Sequence, residues 1–210
     1  MKKIKLLKMN NQKRKSLIDL SKDLMSLRDG NIYEWELLVT YPSVNMAVNL
    51  IEGIKSLAKQ NNFIGAMSLV RSLTETIMVF VYDCTVQKHY DFYKKFVENR
   101  RLMKFDTTEN KWVKLRDSDL IEHFESVTKF GVRNTYDTCC NILHFSSDQI
   151  KILTKANLQK EGAATLKIGV GALDVPKEKW DEILKFVNNC EEIMKKYLEA
   201  MIKNKTSIKT

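Results

Sequence analysis

The chain has 210 residues, 44% of them apolar, with 35 basic against 26 acidic side chains and a net charge of +9. Seven glycines and two prolines are too few for the turns of a sandwich or barrel, so the length suits one helical domain, with at most an appendage. No unbroken apolar run approaches the roughly 18 residues that cross a bilayer, no apolar h-region follows the basic N-terminus, and none of Cys84, Cys139, Cys140 and Cys190 forms a C-x-x-C pair; membrane, secreted and disulfide-framework classes are set aside, and a cytoplasmic protein with free thiols is expected.

Taken in order, residues 1–15 form a basic lead-in, and a helix becomes firm near Ser16, where Leu17, Leu20, Leu24 and Leu27 recur at helical spacing. Gly30-Asn31 stops it. A short element from Tyr33 to Val39 ends before Pro42, and Ser43 caps a helix running to about Gln60. Asn61-Asn62 turns the chain into its most apolar helix, Phe63 to about Val86. That helix is expected at the centre of the bundle, crossed by one polar stripe of Arg71, Glu75, Met78 and Tyr82.

An aromatic helix from His89 to about Lys104 follows, and then Asp106 to Leu115, which lacks periodicity and reads as an exposed loop. Asp117-Ser118 starts a helix to Lys129, and Phe130-Gly131 closes it. From Gly131 to Ile150, Arg133, Asp137, Cys140 and His144 fall on one helical stripe beside a seam of Val132, Tyr136, Cys139 and Leu143. Helix is expected to continue past His144-Phe145-Ser146-Ser147. Residues 159–175 change texture, and the alternation of Leu166, Ile168 and Val170 suggests a small β-like flap before the last helix. Pro176 opens that helix, which carries Trp180, Ile183, Val187, Ile193 and Tyr197 and frays in a lysine tail at 205–210. The expectation is an all-α, single-domain bundle of about six or seven helices over residues 16–204.

The charge balance favours a polyanionic partner, RNA foremost. Against that, 28 of the 35 basic residues are lysines, whereas phosphate readers favour arginine, and many sit in the two tails. His89, His123 and His144 stand apart, without a metal-ligand spacing. Gly169-Val170-Gly171 lacks the rest of a phosphate loop, and no serine sits in a G-x-S-x-G setting. No metal or cofactor is expected.

Two constellations carry candidate chemistry. Arg116-Asp117 followed by His123 resembles the Arg-polar-x(4–6)-His motif of HEPN domains, small helical proteins that include many metal-independent ribonucleases. The resemblance implies a homodimer that pairs two such motifs, in a bacterial defence or toxin system. It also implies a histidine that moves the proton of an RNA 2′-hydroxyl and an arginine that holds the phosphate. The second constellation joins Arg71-x3-Glu75 to Tyr136-x7-His144-x-Ser146, and resembles an uncharacterised bacterial helical family over roughly residues 45–155.

As a site, Glu75 would orient His144 while Arg71, with Arg133 nearby, binds an anion. As structure, Arg71, Glu75, Tyr136 and His144 would form a polar network that fixes helix register. The acid/base is then His123 or His144, and the phosphate holder Arg116 or Arg71. A non-catalytic module that binds a partner protein or a second copy of itself stands as the alternative. A small-molecule pocket lined by Tyr82, Tyr136 and His144 is a third reading.

Overall fold

The computed structural model describes residues 15–27, 39–86, 89–144 and 175–207. They form seven helices and one two-stranded hairpin, in the order α1 (Leu17–Ser26), α2 (Tyr41–Lys59), α3 (Phe63–Thr85), α4 (His89–Asn99), β1 (Met103–Asp106), β2 (Lys111–Lys114), α5 (Asp117–Thr128), α6 (Arg133–Leu143) and α7 (Lys177–Ser207). The fold is all-α. The basic lead-in before Lys15, the Gly30-Asn31 stop, the element at 33–38, the continuation past His144 and nearly all of the flap at 159–175 lie outside the described residues.

Local chemistry sets the helix ends. Ser16 Oγ accepts from the Asp19 amide at 3.1 Å, and Asp19 accepts the Ser16 amide at 3.2 Å, a reciprocal box that starts α1. α2 begins at Tyr41, one turn before the expected cap at Ser43. Pro42 is tolerated there because the first-turn amides have no intrahelical acceptor to lose. Asn62 caps α3, its side chain accepting from the Gly65 amide at 3.0 Å.

α3 is the centre of the bundle, as its apolar run predicts. It packs against α2, α4, α5, α6 and α7, while α1 lies across α2 and α7. Val70, Leu73, Ile77, Phe80 and Val81 are fully buried on it. By length and composition α3 also meets the measure of a bilayer-crossing helix, although Arg71 and Glu75 interrupt its apolar residues; half of its most apolar stretch is buried inside the bundle. Val187, Cys190, Met194 and Leu198 of α7, at helical spacing, close the core. α2 approaches α3 closely at Gly53, where a Cβ would lie 2.8 Å from Leu69 Cδ1. α7 continues to Ser207, past the tail boundary expected at 205.

The stretch read as an exposed loop is a β-hairpin. Arg100 takes a left-handed conformation (φ 53°) and ends α4. β1 and β2 then pair antiparallel, with Phe105 opposite Trp112 and Met103 opposite Lys114. Asp106 closes the turn by accepting the amides of Thr108 and Glu109 at 2.9 and 3.2 Å, and Asn110 supplies a positive φ of 50°. The Leu115 amide donates to the Leu102 carbonyl at 2.9 Å, which carries the ladder one pair further.

Candidate functional site

Three helices converge on Tyr136. Its position on α6 faces α3, so burial of Tyr136, Cys139 and Ile142 turns the phenol toward Arg71 and Glu75. Arg71 Nη2 lies 3.1 Å from Glu75 Oε1 and 3.5 Å from the Tyr136 hydroxyl, with the guanidinium 5.5 Å from the ring centre. The hydroxyl is 2.7 Å from Asp117 Oδ2 and 3.1 Å from Glu75 Oε1. A phenol has one proton, and the 2.7 Å contact is the charge-assisted length, so Asp117 receives it. Burial and the bond to Asp117 raise the Tyr136 pKa well above the ordinary phenol value, so the hydroxyl stays a donor. Arg71 bridges Glu75 and the phenol oxygen. Its own pKa is raised, first by the Tyr136 hydrogen bond.

This cluster ties α3, α5 and α6 at one point. Its two carboxyl groups outnumber the one guanidinium of Arg71, an arrangement that does not draw in phosphate. By sequence Asp117 is the polar residue of the Arg116–His123 motif and the start of α5; its bond to Tyr136 was not foreseen. His144 stands apart from the cluster. It caps the C-terminus of α6, exposed, eight residues or about 12 Å along the helix from Tyr136. Glu75 therefore orients Tyr136 and Arg71, not His144.

Arg133 is exposed at the start of α6. Its backbone amide, with that of Val132, donates to Glu125 Oε1 at 2.9 and 2.7 Å. These two donors, Arg133 first, hold the Glu125 carboxyl below the usual carboxylate range. Glu125 is thus the cap of α6, supplied by the preceding helix.

His123 and Arg116 lie seven residues apart on α5, nearly on one side of it and about 10 Å apart along its axis. His123 is half-buried against α3, its ring 4.9 Å from that of Tyr82 and its Nε2 2.6 Å from Thr85 Oγ1. Thr85 already donates its proton to the Val81 carbonyl at 2.7 Å. With that bond made, Thr85 accepts from His123 Nε2–H, a tautomer assigned from the hydrogen-bond network that leaves the lone pair on Nδ1. Burial pushes the His123 pKa below its ordinary value, so the imidazole is neutral near pH 7.

Arg116 is exposed at the N-cap of α5, its amide bonded to Asp119 Oδ2 at 2.9 Å. Lys104 reaches the other oxygen of Asp119 at 2.7 Å. That bond ties the side of the hairpin carrying Lys104 to α5, and Met103, Phe105, Trp112 and Lys114 lie on the other side. Arg101 and Arg116 follow immediately beyond Leu102 and Leu115, at the open end of the hairpin. Arg101, Lys114 and Arg116 are all exposed, and no salt bridge among the described residues holds any of them.

Among the described residues no group of three potential ligands could hold a metal ion. An apolar cleft of about 450 Å³ lies between α3, α6 and α7, walled by Phe63, Met67, Val70, Ile142, Ile183 and Phe186. Tyr82, Tyr136 and His144 do not line it. Residues 40–197 match the model of the family of unknown function DUF5677. No curated protein and no solved structure matches the chain.

Proposed function

The chain belongs to the family DUF5677, and we propose that it is an RNA-binding helical protein whose contact surface is the hairpin and the start of α5. The observation that supports this is the open end of the hairpin, where Arg101, Lys114 and Arg116 stand exposed and, among the described residues, outside any salt bridge. Arg71, by contrast, is matched by Glu75 within the Tyr136 cluster. Phosphate goes to cations whose charge is uncompensated. Arg116 is the phosphate holder in this reading, and the Tyr136 cluster fixes the α3–α5–α6 junction that presents it.

Labelled single-stranded RNA, followed by fluorescence anisotropy, tests the proposal. For about three neutralised phosphates, affinity should fall with salt at a log–log slope near −2. Arg116→Ala should weaken binding and make the slope shallower by about 0.7. Absence of saturable binding at low salt, or an Arg116→Ala variant that binds as the parent does, would sink the reading. A non-catalytic module with a protein partner or a second copy then takes its place, and light scattering for a homodimer becomes the next measurement.

A second reading, metal-independent RNA cleavage, is favoured by the state of His123: neutral near pH 7, with Nδ1 available to accept a proton. The 2′-hydroxyl would attack the adjacent phosphorus, its proton passing to Nδ1 while Arg116 holds the phosphate; the P–O5′ bond breaks, leaving a 2′,3′-cyclic phosphate and a 5′-oxygen that takes its proton from water. A denaturing gel of the same samples in chelator tests it. Cleavage should vanish with Arg116→Ala and with His123→Ala; loss confined to His144→Ala would move the chemistry to the end of α6.

A further inference from the structure

The side of the hairpin opposite Lys104 holds two aromatic rings among its cations. Phe105 and Trp112 are directly opposed in the ladder, their ring centres 5.6 Å apart and their planes at 66°. In this edge-to-face pair one ring offers its face to the other's edge. Phe105 is 37% exposed and Trp112 half-buried, so the hairpin does not spend these rings on the core. Met103 and Lys114 flank them on the same side, and Arg101 and Arg116 follow just beyond Leu102 and Leu115. A strand pair with aromatics at its centre and cations along the flank provides what an unpaired polynucleotide needs: a flat apolar partner for a base, and positive charge along the backbone. A base-paired helix keeps its bases stacked on one another and offers such rings nothing but its edges.

We infer that the hairpin is a base-stacking platform selective for unpaired RNA over duplex, with Trp112 as its principal ring and Phe105 as support. This rests on the RNA-binding reading above and adds the class of strand and the residues that select it. The cations set affinity and salt dependence, whereas the rings set the preference for single strands. The two contributions separate experimentally, because removing a ring changes no charge.

The test compares one short single-stranded RNA with the same sequence annealed to its complement, at one fixed salt concentration. The parent should prefer the single strand, and Trp112→Leu should weaken single-strand binding about ten-fold while leaving the salt slope unchanged. Leucine keeps an apolar side chain in the hairpin but has no π-face, and Trp112→Phe, which retains one, should bind within a few-fold of the parent. Circular dichroism and urea midpoints of both variants check that the hairpin stays folded. Equal binding of single strand and duplex, or equal binding by Trp112→Leu and Trp112→Phe, overturns the stacking platform and leaves RNA binding standing. No binding of either RNA by the parent overturns both.

Discussion

Tyr136 carries one proton and faces two carboxylates, so its hydroxyl is the point on which the α3–α5–α6 junction depends. Tyr136→Phe removes the donor to Asp117 and the acceptor for Arg71 without opening a cavity. It should cost about 1–2 kcal/mol, at the lower end because Asp117 is exposed and water can replace the phenol. Urea unfolding measures this, and a double-mutant cycle with Asp117→Asn isolates the pair. A Tyr136→Phe variant as stable as the parent would show that the junction is held by apolar packing alone. The Arg71–Glu75 pair was legible in the sequence because four residues along a helix make neighbours. The bond to Asp117 was not, because its partner is 19 residues away, across a loop and into another helix.

At the scale of elements, the helices follow their apolar spacing, and the hairpin is where that reading failed. Its strands are four residues each and half exposed, too short for alternation to stand out. The usable signals were in the turn: Asp106, which collects two amides, and Asn110, a residue tolerant of positive φ. α6 teaches a related lesson. Val132 has no side-chain capping group, and the cap comes from Glu125, eight and seven residues upstream of the amides it accepts. Glu125→Ala should therefore cost about 1–2 kcal/mol, the loss of a helix cap, with little change in core packing. Measured by thermal unfolding, Glu125→Gln should recover part of that, because its side-chain oxygen still accepts; full stability in Glu125→Ala would refute the cap.

Across the whole molecule, stability should depend on pH through His123. Its folded pKa is depressed by burial, so the unfolded chain takes up a proton more readily. Stability is complete above the ordinary histidine value and is lost as the pH falls through the folded one. The urea midpoint should drop on acidification below the ordinary histidine value, and His123→Gln should flatten the drop. A midpoint equally pH-dependent in both proteins would place the effect elsewhere. The net charge of +9 also acts at this scale. Charge count gives the sign of the field but not its location. Pairing of Lys104 with Asp119 and of Arg71 with Glu75 removes two candidates, and the antiparallel hairpin brings Arg101, Lys114 and Arg116 to its open end.

The helical class, the central place of α3 and the polar pair on it were legible in the chain, because apolar periodicity and i,i+4 spacing are properties of neighbouring residues. Packing and strand pairing set which charges are neutralised, that His123 meets Thr85, and that Phe105 and Trp112 stand together. Each of these depends on groups brought close by packing or strand pairing, and a linear spacing carries no record of which side of an element meets its neighbour.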